Sequence, residues 1–331
     1  MFKKGLHCRA DLKLKIRRIL LLMFIAFFGT GFWHSKEENY IKSGDFGEGL
    51  KYVEKRLRKN HKDPSANYYA GRYLLAMNRQ EEALPHLLQA VLLDVGEAKY
   101  HFWLGVSYWA LRDFDKERKA YQRAITIDGR FNSAHLYLGH NYLDSGEWNK
   151  ALKQYKKVLE LEKKHPDALF NRAVAIKELG RVRQAILAWK EYLKYYPDGK
   201  WALKAVHNLN LLGDFSYRNY LFGARKVVLS RIAFEPNSAK LKKYSLPSLD
   251  VVRTMMRNNK ALFFHVITYC QNNTNLARQR ALSIKKHLTF NNPDIRPDRV
   301  ILSWFGVGEV VQKNGKSWLE KESVNFITKV K

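Results

Sequence analysis

Two stretches of the sequence repeat one another and decide the fold of much of the chain: YHFWLGVSYWALRDFDKERKAYQRAITID (100–128) and AHLYLGHNYLDSGEWNKALKQYKKVLELE (134–162). Gly105 of the first stretch returns 34 residues later as Gly139 of the second. Within each copy, apolar residues recur at helical spacing on both sides of a short polar turn, which predicts two antiparallel helices. A small residue at the same place in each copy allows those helices to approach closely.

The same period extends in both directions along the chain. Copies begin near residues 64, 98, 132 and 166, and a weaker copy begins near residue 30. Gly146 and Gly180 fall at predicted turns, where a helix must end. This period and its pattern of small and large residues resemble the tetratricopeptide repeat. The resemblance implies an all-α solenoid of about five helical hairpins over residues 34–212, closed by a capping helix at 200–212.

The resemblance also implies a binding surface, because in that family the first helix of each hairpin lines a groove. The corresponding residues here are Tyr68, Arg72, Phe102, Trp109, Leu136, His140 and Phe170. An exposed aromatic and aliphatic groove usually binds a peptide or a partner helix. We therefore expect a protein or peptide partner at this wall. The alternative is that the capping helix or the C-terminal domain of the same chain fills the groove.

The N-terminal segment has the pattern of an export signal. Residues 1–18 carry seven basic residues and one acidic residue, and the 15 residues Ile19–Trp33 that follow carry no charge. A run of this length is short for a helix that crosses a hydrocarbon core of about 30 Å. Residues 1–33 are either a retained transmembrane anchor or a signal peptide cleaved after Gly29 and Gly31. Both alternatives place the basic flank in the cytoplasm and the rest of the chain in the periplasm of a bacterium, tethered to the inner membrane or released.

The periodicity changes after residue 225. Strand patterns alternate with helical patterns over the ranges 227–241 (strand), 245–259 (helix), 261–269 (strand), 275–288 (helix), 298–311 (strand) and 323–330 (strand). This order predicts an α+β sandwich with the helices on one face of a mixed sheet.

That order and several fragments resemble the OmpA-like peptidoglycan-associated domain over residues 225–331. The fragments are Asn237-Ser238 after the first strand, the Leu276-Ala277 and Arg280-Ala281 pairs of the second helix, and Pro297-Asp298-Arg299-Val300 before the third strand. In that family an aspartate after the central strand meets the ammonium group of diaminopimelate in the peptide stem. An arginine on the next helix holds the carboxylate of the same ligand.

The resemblance gives three candidate binding residues in this domain. Arg280 occupies the arginine position, Gln271 stands where the acidic residue is expected, and Asn273 opens the helix. Because Gln271 carries no charge, the ammonium half of the site is weakened. The resemblance then implies weak association with peptidoglycan or with an anionic wall polymer. The alternative is a degenerate domain that no longer binds the cell wall and serves as a second protein-docking surface.

The charge balance favours anionic partners without choosing among them. The chain has 59 Lys and Arg residues against 31 Asp and Glu residues, a formal net charge of +28. Such a surplus suits nucleic acid, anionic lipid or an acidic wall polymer. The export signal makes nucleic acid the least expected of these. From 214 to 331 there are 21 basic and 8 acidic residues, so a basic surface alone could hold a polyanion.

Catalysis, metals and cofactors are not expected. The sequence contains no nucleophile elbow, no HExxH and no phosphate loop. Cys8 and Cys270 are its two cysteines, so it has neither a disulfide framework nor a metal-binding spacing. These patterns predict a membrane-tethered scaffold of a bacterial envelope rather than an enzyme, and the alternative is a pure protein–protein adaptor.

Overall fold

The computed structural model describes residues 35–290 and 292–330. The described residues divide into two compact units, one that ends at Leu161 and one that begins at Glu162. The predicted anchor or signal peptide at residues 1–33 lies outside the described residues. Within the described part of the chain, no helix is long and apolar enough to cross a membrane.

The described part of the first unit consists of consecutive helical hairpins. In chain order its helices are α1 (Lys36–Ser43), α2 (Phe46–Lys59), α3 (Pro64–Ala76), α4 (Gln80–Leu93), α5 (Ala98–Ala110), α6 (Phe114–Ile127), α7 (Asn132–Asp144) and α8 (Trp148–Leu161). Helices α3, α5 and α7 begin at the 34-residue spacing that the sequence predicts. We call the odd-numbered helices of the hairpins the A helices and the even-numbered ones the B helices.

A glycine on each of α5 and α7 sets the distance to its B helix. At Gly139, an added Cβ would lie 2.7 Å from Cε1 of Tyr155, which is fully buried on α8. The aromatic ring therefore occupies the volume that a side chain on α7 would need. Gly105 on α5 faces Tyr121 on α6 in the same way. The close approach that the repeated glycines predict is confirmed.

Helix ends follow local chemistry. The side chain of Asp63 accepts a hydrogen bond from the backbone N–H of Ala66 at 2.9 Å, and Pro64 is the first residue of α3. An acidic N-cap followed by proline is a strong helix start, since the missing N–H of proline needs no partner there. At the other end of a hairpin helix, Gly146 adopts a φ of 77°, a conformation that glycine tolerates best.

The second unit begins with one more hairpin. The hairpin consists of α9 (Pro166–Glu178) and α10 (Val182–Tyr195), and the helix α11 (Ala202–Leu211) follows it. The side-chain amide of Asn210 on α11 donates to the backbone carbonyls of Asp214 and Tyr217, both at 2.8 Å. Asp214 also pairs with Lys190 on α10 at 2.9 Å. The predicted domain boundary at residue 212 therefore falls inside this unit, because these contacts join the last hairpin to the strands that follow.

The rest of the second unit combines three small sheets with two helices. Its elements are β1 (Tyr217–Phe222), β2 (Arg225–Ser230), α12 (Leu246–Asn258), β3 (Leu262–Cys270), α13 (Thr274–Thr289), β4 (Val300–Phe305), β5 (Glu309–Lys313), β6 (Lys316–Glu320) and β7 (Glu322–Val330). The central sheet has the order β4-β3-β7, with β3 parallel to β4 and antiparallel to β7. Strands β1 and β2 form one hairpin, and β5 and β6 form another.

The core of this region lies between the central sheet and the two helices. On β3, Leu262, Phe264 and Val266 are buried and alternate with half-buried residues. They pack with Leu249 of α12 and Ile284 of α13 in one apolar cluster. Alternating burial of this kind is expected for a sheet with helices on one face.

The predicted order of strands and helices is present, with differences in where strands begin, end and pair. The predicted strand 227–241 is shorter, because β2 ends at Ser230. The predicted strand 298–311 is split into β4 and β5, and β5 pairs with β6 rather than with the central sheet. Strands β1 and β6 lie outside the predicted strand ranges.

Candidate functional site

The wall predicted from the A helices is largely buried in the first unit. Tyr68, Phe102 and Leu136 are 3%, 6% and 8% exposed. The ring of Phe102 lies 5.2 Å from that of Phe131 and 5.6 Å from that of Tyr121. These three side chains are therefore buried where an exposed wall was expected, and rings of the same unit cover Phe102.

Arg72 is engaged within the protein as well. Its Nη1 donates to Oε1 of Glu38 at 2.6 Å and to the hydroxyl of Tyr68 at 3.0 Å, and its guanidinium lies 4.6 Å from the ring centre of Trp103. The side chain is 11% exposed. Burial raises the pKa of the Tyr68 hydroxyl, and the nearby Arg72 guanidinium only partly offsets this. Arg72 thus joins α1, α3 and α5 through an ion pair and a cation–π contact, and it is not a free polar group of a groove.

Two of the predicted wall residues stay accessible. Trp109 and His140 are half-buried, and so is Tyr137 on the same helix as His140. The imidazole of His140 lies 5.5 Å from the ring of Tyr137 and 5.8 Å from the ring of Tyr155. These half-exposed aromatic edges are the part of the predicted wall that a partner of the first unit can reach.

Phe170 belongs to the second unit, where the chain itself covers it. Its ring stacks on Trp201 at 5.1 Å and meets Trp189 and Tyr192 edge-on, and it is 3% exposed. Nε1 of Trp201 donates to Asp167 at 3.0 Å, which fixes the covering ring. At this position Trp201, which lies directly before the capping helix α11, covers the predicted wall, as the alternative of a wall covered by the same chain expects.

The C-terminal candidate Arg280 lies on α13 and is 2% exposed. Its Nε donates to the backbone carbonyl of Ser238 at 3.0 Å, and its guanidinium lies 4.9 Å from the ring centre of Phe234. Its Nη1 lies 3.0 Å from Oε2 of Glu322. Among the described residues, its Nη2 has no hydrogen-bond partner. A buried guanidinium with an unused N–H donor can bind an acidic group.

A cavity of about 230 Å³ opens beside this guanidinium. Besides Arg280 and Glu322, its polar lining includes Arg231 and Lys242. The carboxylate side chain of Glu322 is 49% exposed, so it can be reached from solvent while it contacts Arg280. Arg231 is engaged by Glu320 at 3.0 Å. The cavity therefore brings a buried cation and an accessible carboxylate together.

The other two candidates of this domain do not line that cavity. Gln271 is exposed, and its backbone N–H donates to the carbonyl of Lys321 at 2.8 Å. The side chain of Asn273 caps α13 by accepting from the N–H of Leu276 at 2.9 Å. The structure brings the carboxylate of Glu322, and not the side chain of Gln271, to Arg280. Glu322 is the first residue of the last strand β7, and no pattern in the sequence linked it to Arg280.

Cys270 touches the same site without supplying charge. Its Sγ lies 3.8 Å from Nη1 of Arg280, and the side chain is buried. Burial raises the pKa of the Cys270 thiol, which keeps it protonated at neutral pH. In the described residues no group of His, Cys, Asp and Glu side chains is arranged to hold a metal ion.

Comparison with known families fits the helical hairpins. Tetratricopeptide repeat families match residues 38–97, 70–130 and 167–199, and a further TPR repeat family matches residues 139–180. The chain contains tetratricopeptide repeats. The repeats indicate binding of a protein or peptide partner and suggest a protein–protein interaction scaffold, and proteins with such repeats are generally not enzymes. The family matches end at residue 199, and no curated protein matches the chain in sequence.

Solved structures similar to this chain include two that are described as TPR proteins. The crystal structure of MamA is 21% identical, with a TM-score of 0.46, over 50% of this chain and 96% of that one. YrrB, described as a TPR protein with an unusual peptide-binding site, is 20% identical over 52% and 88%, with a TM-score of 0.46. TTC0263, a thermophilic TPR protein of Thermus thermophilus, is 20% identical over 60% and 97%, with a TM-score of 0.41.

Proposed function

We propose that the chain is an envelope scaffold whose tetratricopeptide repeats hold a protein partner. In this proposal its C-terminal region binds the peptide stem of peptidoglycan at Arg280 and Glu322. The observation that carries the second part is the contrast between the two side chains. Arg280 is 3% exposed at its side chain and keeps one free donor, whereas Glu322 is 49% exposed beside it.

The chemistry of that pair favours a zwitterionic ligand. A ligand carboxylate would take the unused Nη2 of Arg280, and a ligand ammonium group on the same carbon would meet the exposed carboxylate of Glu322. A cavity of about 230 Å³ is smaller than the roughly 300–1,000 Å³ of most small-molecule sites. It therefore suits one end of a longer ligand, such as the amino-acid end of a diaminopimelate side chain.

The topology supports the same proposal. Strand β2, helix α12, strand β3, helix α13 and strand β4 follow one another along the chain in the order that the resemblance implies. Arg280 occupies the arginine position of that family on α13. The acidic partner differs, since it comes from the last strand rather than from the loop after the central strand.

Binding to the wall is tested by co-sedimentation of the full chain with purified peptidoglycan. Free meso-diaminopimelate should compete for the Arg280 cavity and release the protein, while raised salt alone should leave a residual bound fraction. Retention that salt abolishes and diaminopimelate does not affect would contradict a stem-peptide site. It would leave attraction by the basic surface as the cause.

A pure adaptor is the second candidate, and one observation favours it. Glu322 already contacts Arg280, so part of the charge of the guanidinium is satisfied within the chain. If the pair is only structural, the C-terminal region would dock a second protein and bind no wall. The competition experiment separates the two functions.

Export remains a proposal that rests on the basic flank and the apolar run Ile19–Trp33. In a bacterium, the chain would be held at the inner membrane with its main part in the periplasm, or released there after cleavage. A periplasm-dependent reporter fused after Lys36 should be active, and a cytoplasm-dependent reporter at the same place should not. Activity of the cytoplasmic reporter would contradict the envelope assignment.

A further inference from the structure

A second and larger cavity lies between the two helices of the C-terminal region. It measures about 760 Å³ and opens between α12, α13 and the segment 239–241. It shares no lining residue with the cavity of Arg280. Its volume lies within the range of sites that hold a small organic ligand.

Basic side chains dominate the lining of this cavity. Lys240, Arg253, Arg257 and Lys286 contribute four cations, and His287 adds an imidazole. Arg253 and Arg257 are one helical turn apart on α12, so both project from the same face. Lys286 and His287 come from the facing helix α13. Cations from two helices and a loop thus converge on one space.

The nearby carboxylates neutralise only part of this charge. Asp250 is shared, since it pairs with Arg253 and lies 3.6 Å from His287. Asp294 lies 3.8 Å from Arg257, with both side chains more than half exposed, so this pair is loose. Two carboxylates therefore face four cations, and the surplus makes the cavity a site for an anion.

Neutral donors and apolar groups complete the lining. Ser283 and Thr254 supply hydroxyl groups and Asn292 supplies an amide. Leu241 and Phe290 supply apolar surface, and Phe290 is 62% exposed. Hydroxyl and amide donors beside cations suit phosphate oxygens, and an exposed aromatic ring at the rim suits an apolar or ring-shaped portion of the same ligand.

We propose that this cavity binds a phosphate-bearing ligand. Lys240 and Lys286 act as point charges for the phosphate, and Arg253 and Arg257 offer fork-shaped donors to its oxygens. The phosphate belongs either to a soluble molecule or to a lipid headgroup, and both present the same chemistry to the cavity. The proposal is independent of the stem-peptide site at Arg280.

The test compares two double variants of the full chain that lose the same charge. The cavity variant is Lys240→Gln with Lys286→Gln. The control variant is Lys226→Gln with Lys316→Gln, which changes two exposed lysines beside the hairpin turns, outside the cavity. Inorganic pyrophosphate is titrated into each protein by calorimetry, and vesicles with and without phosphatidylglycerol provide a second measurement.

The parent protein should bind pyrophosphate saturably. The cavity variant should bind roughly ten-fold more weakly or worse, while the control variant should bind as the parent does. If pyrophosphate binds the parent protein only weakly, but the cavity variant binds phosphatidylglycerol vesicles more weakly than the control variant does, the phosphate is that of a lipid headgroup. Equal losses in both variants would overturn the proposal, because they would show attraction by net charge alone.

Arg257, Lys286 and His287 also lie in the last turns of α12 and α13, where cations offset the helix dipole. A role confined to the helix ends would lower the melting temperature of the cavity variant while the parent shows no saturable binding. That outcome would overturn the proposal as well.

Discussion

Nη1 of Arg280 lies 3.0 Å from Oε2 of Glu322, although one residue belongs to helix α13 and the other opens the last strand β7. The contact joins a buried cation to a carboxylate that remains half exposed. It gives the cavity beside Arg280 the acidic group that the loop after the central strand lacks, since Gln271 there is neutral and exposed.

Glu322→Gln should weaken retention on peptidoglycan. The substitution keeps the size of the side chain and removes its charge, so an ammonium group of the ligand loses a charge-assisted hydrogen bond. Such a bond contributes roughly 1.5–3 kcal/mol, which corresponds to roughly one to two orders of magnitude in the dissociation constant. Co-sedimentation over a range of peptidoglycan concentrations measures the change.

Gln271→Asp in the Glu322→Gln background is the control for the position of the acid. It restores the charge at the site of the family pattern, but Gln271 does not line the cavity. We therefore expect no recovery of binding. Recovery would show that the acidic function belongs after the central strand, as the resemblance implied, and that Glu322 is a structural partner of Arg280.

Phe102→Ala should lower the stability of the protein, whereas Trp109→Ala should mainly weaken partner binding. Phe102 is 6% exposed and surrounded by rings, so its truncation should cost roughly 3–5 kcal/mol of unfolding free energy. Trp109 is half-buried, so its removal should leave the melting temperature nearly unchanged and reduce co-purification of a repeat-bound protein. A large loss of stability in Trp109→Ala would show that this side chain is core.

Gly139→Ala should destabilise the hairpin of α7 and α8. The new Cβ would lie 2.7 Å from Cε1 of Tyr155, and this ring cannot move freely because it is fully buried. Overpacking of this kind costs roughly 1–3 kcal/mol. Urea unfolding followed by circular dichroism measures the loss.

Gly47→Ala is the matched control for that substitution. Gly47 lies in the first turn of α2, and nothing stands within 4 Å of its added Cβ. Alanine should therefore stabilise the helix by roughly 0.5–1 kcal/mol. Equal losses in both glycine variants would mean that the packing against Tyr155 is not what Gly139 provides.

The repeat architecture could be predicted because its determinants are local and recur. Helical spacing, Gly139 against Tyr155 and the turn glycine Gly146 all lie within one hairpin, and the same pattern returns at each copy. The extent of burial could not be predicted in this way. Phe102 is covered by Phe131, a residue of the connection to the next hairpin, and such contacts have no signature in the period.

In the C-terminal region, only one of the two residues of the candidate site could be predicted. The resemblance named Arg280 as a candidate, and the structure places it at a cavity. Its partner could not be found from the sequence, because the pairing of β7 with β3 brings Glu322 opposite Cys270, and register is a property of the sheet rather than of either strand.

The last prediction concerns Glu117, a carboxylate enclosed by the first unit. It is 2% exposed and accepts a hydrogen bond from Nδ2 of Asn141 at 3.0 Å. Burial raises the pKa of Glu117 to about 7, and the hydrogen bond from Asn141 only partly offsets this. An ordinary carboxyl in the unfolded chain titrates near 4.5.

The sign of its effect on stability follows from these two values. Well below pH 4.5, Glu117 is protonated in both states and stability is unaffected. Between pH 4.5 and 7 the unfolded chain releases its proton first, so the free energy of unfolding falls as the pH rises. Glu117→Gln removes this dependence while keeping an oxygen that can accept from Asn141.

Glu117→Gln should therefore raise the free energy of unfolding at about pH 8 by roughly 1–3 kcal/mol and change it little at about pH 4.5. Urea unfolding at both pH values measures the difference. Glu160→Gln is the control, since Glu160 is exposed and its pKa is lowered by its hydrogen bond to Lys157. It should give no gain at either pH. A gain in Glu117→Gln that is the same at both pH values would show that packing, and not the charge of the buried carboxylate, sets the stability at this position.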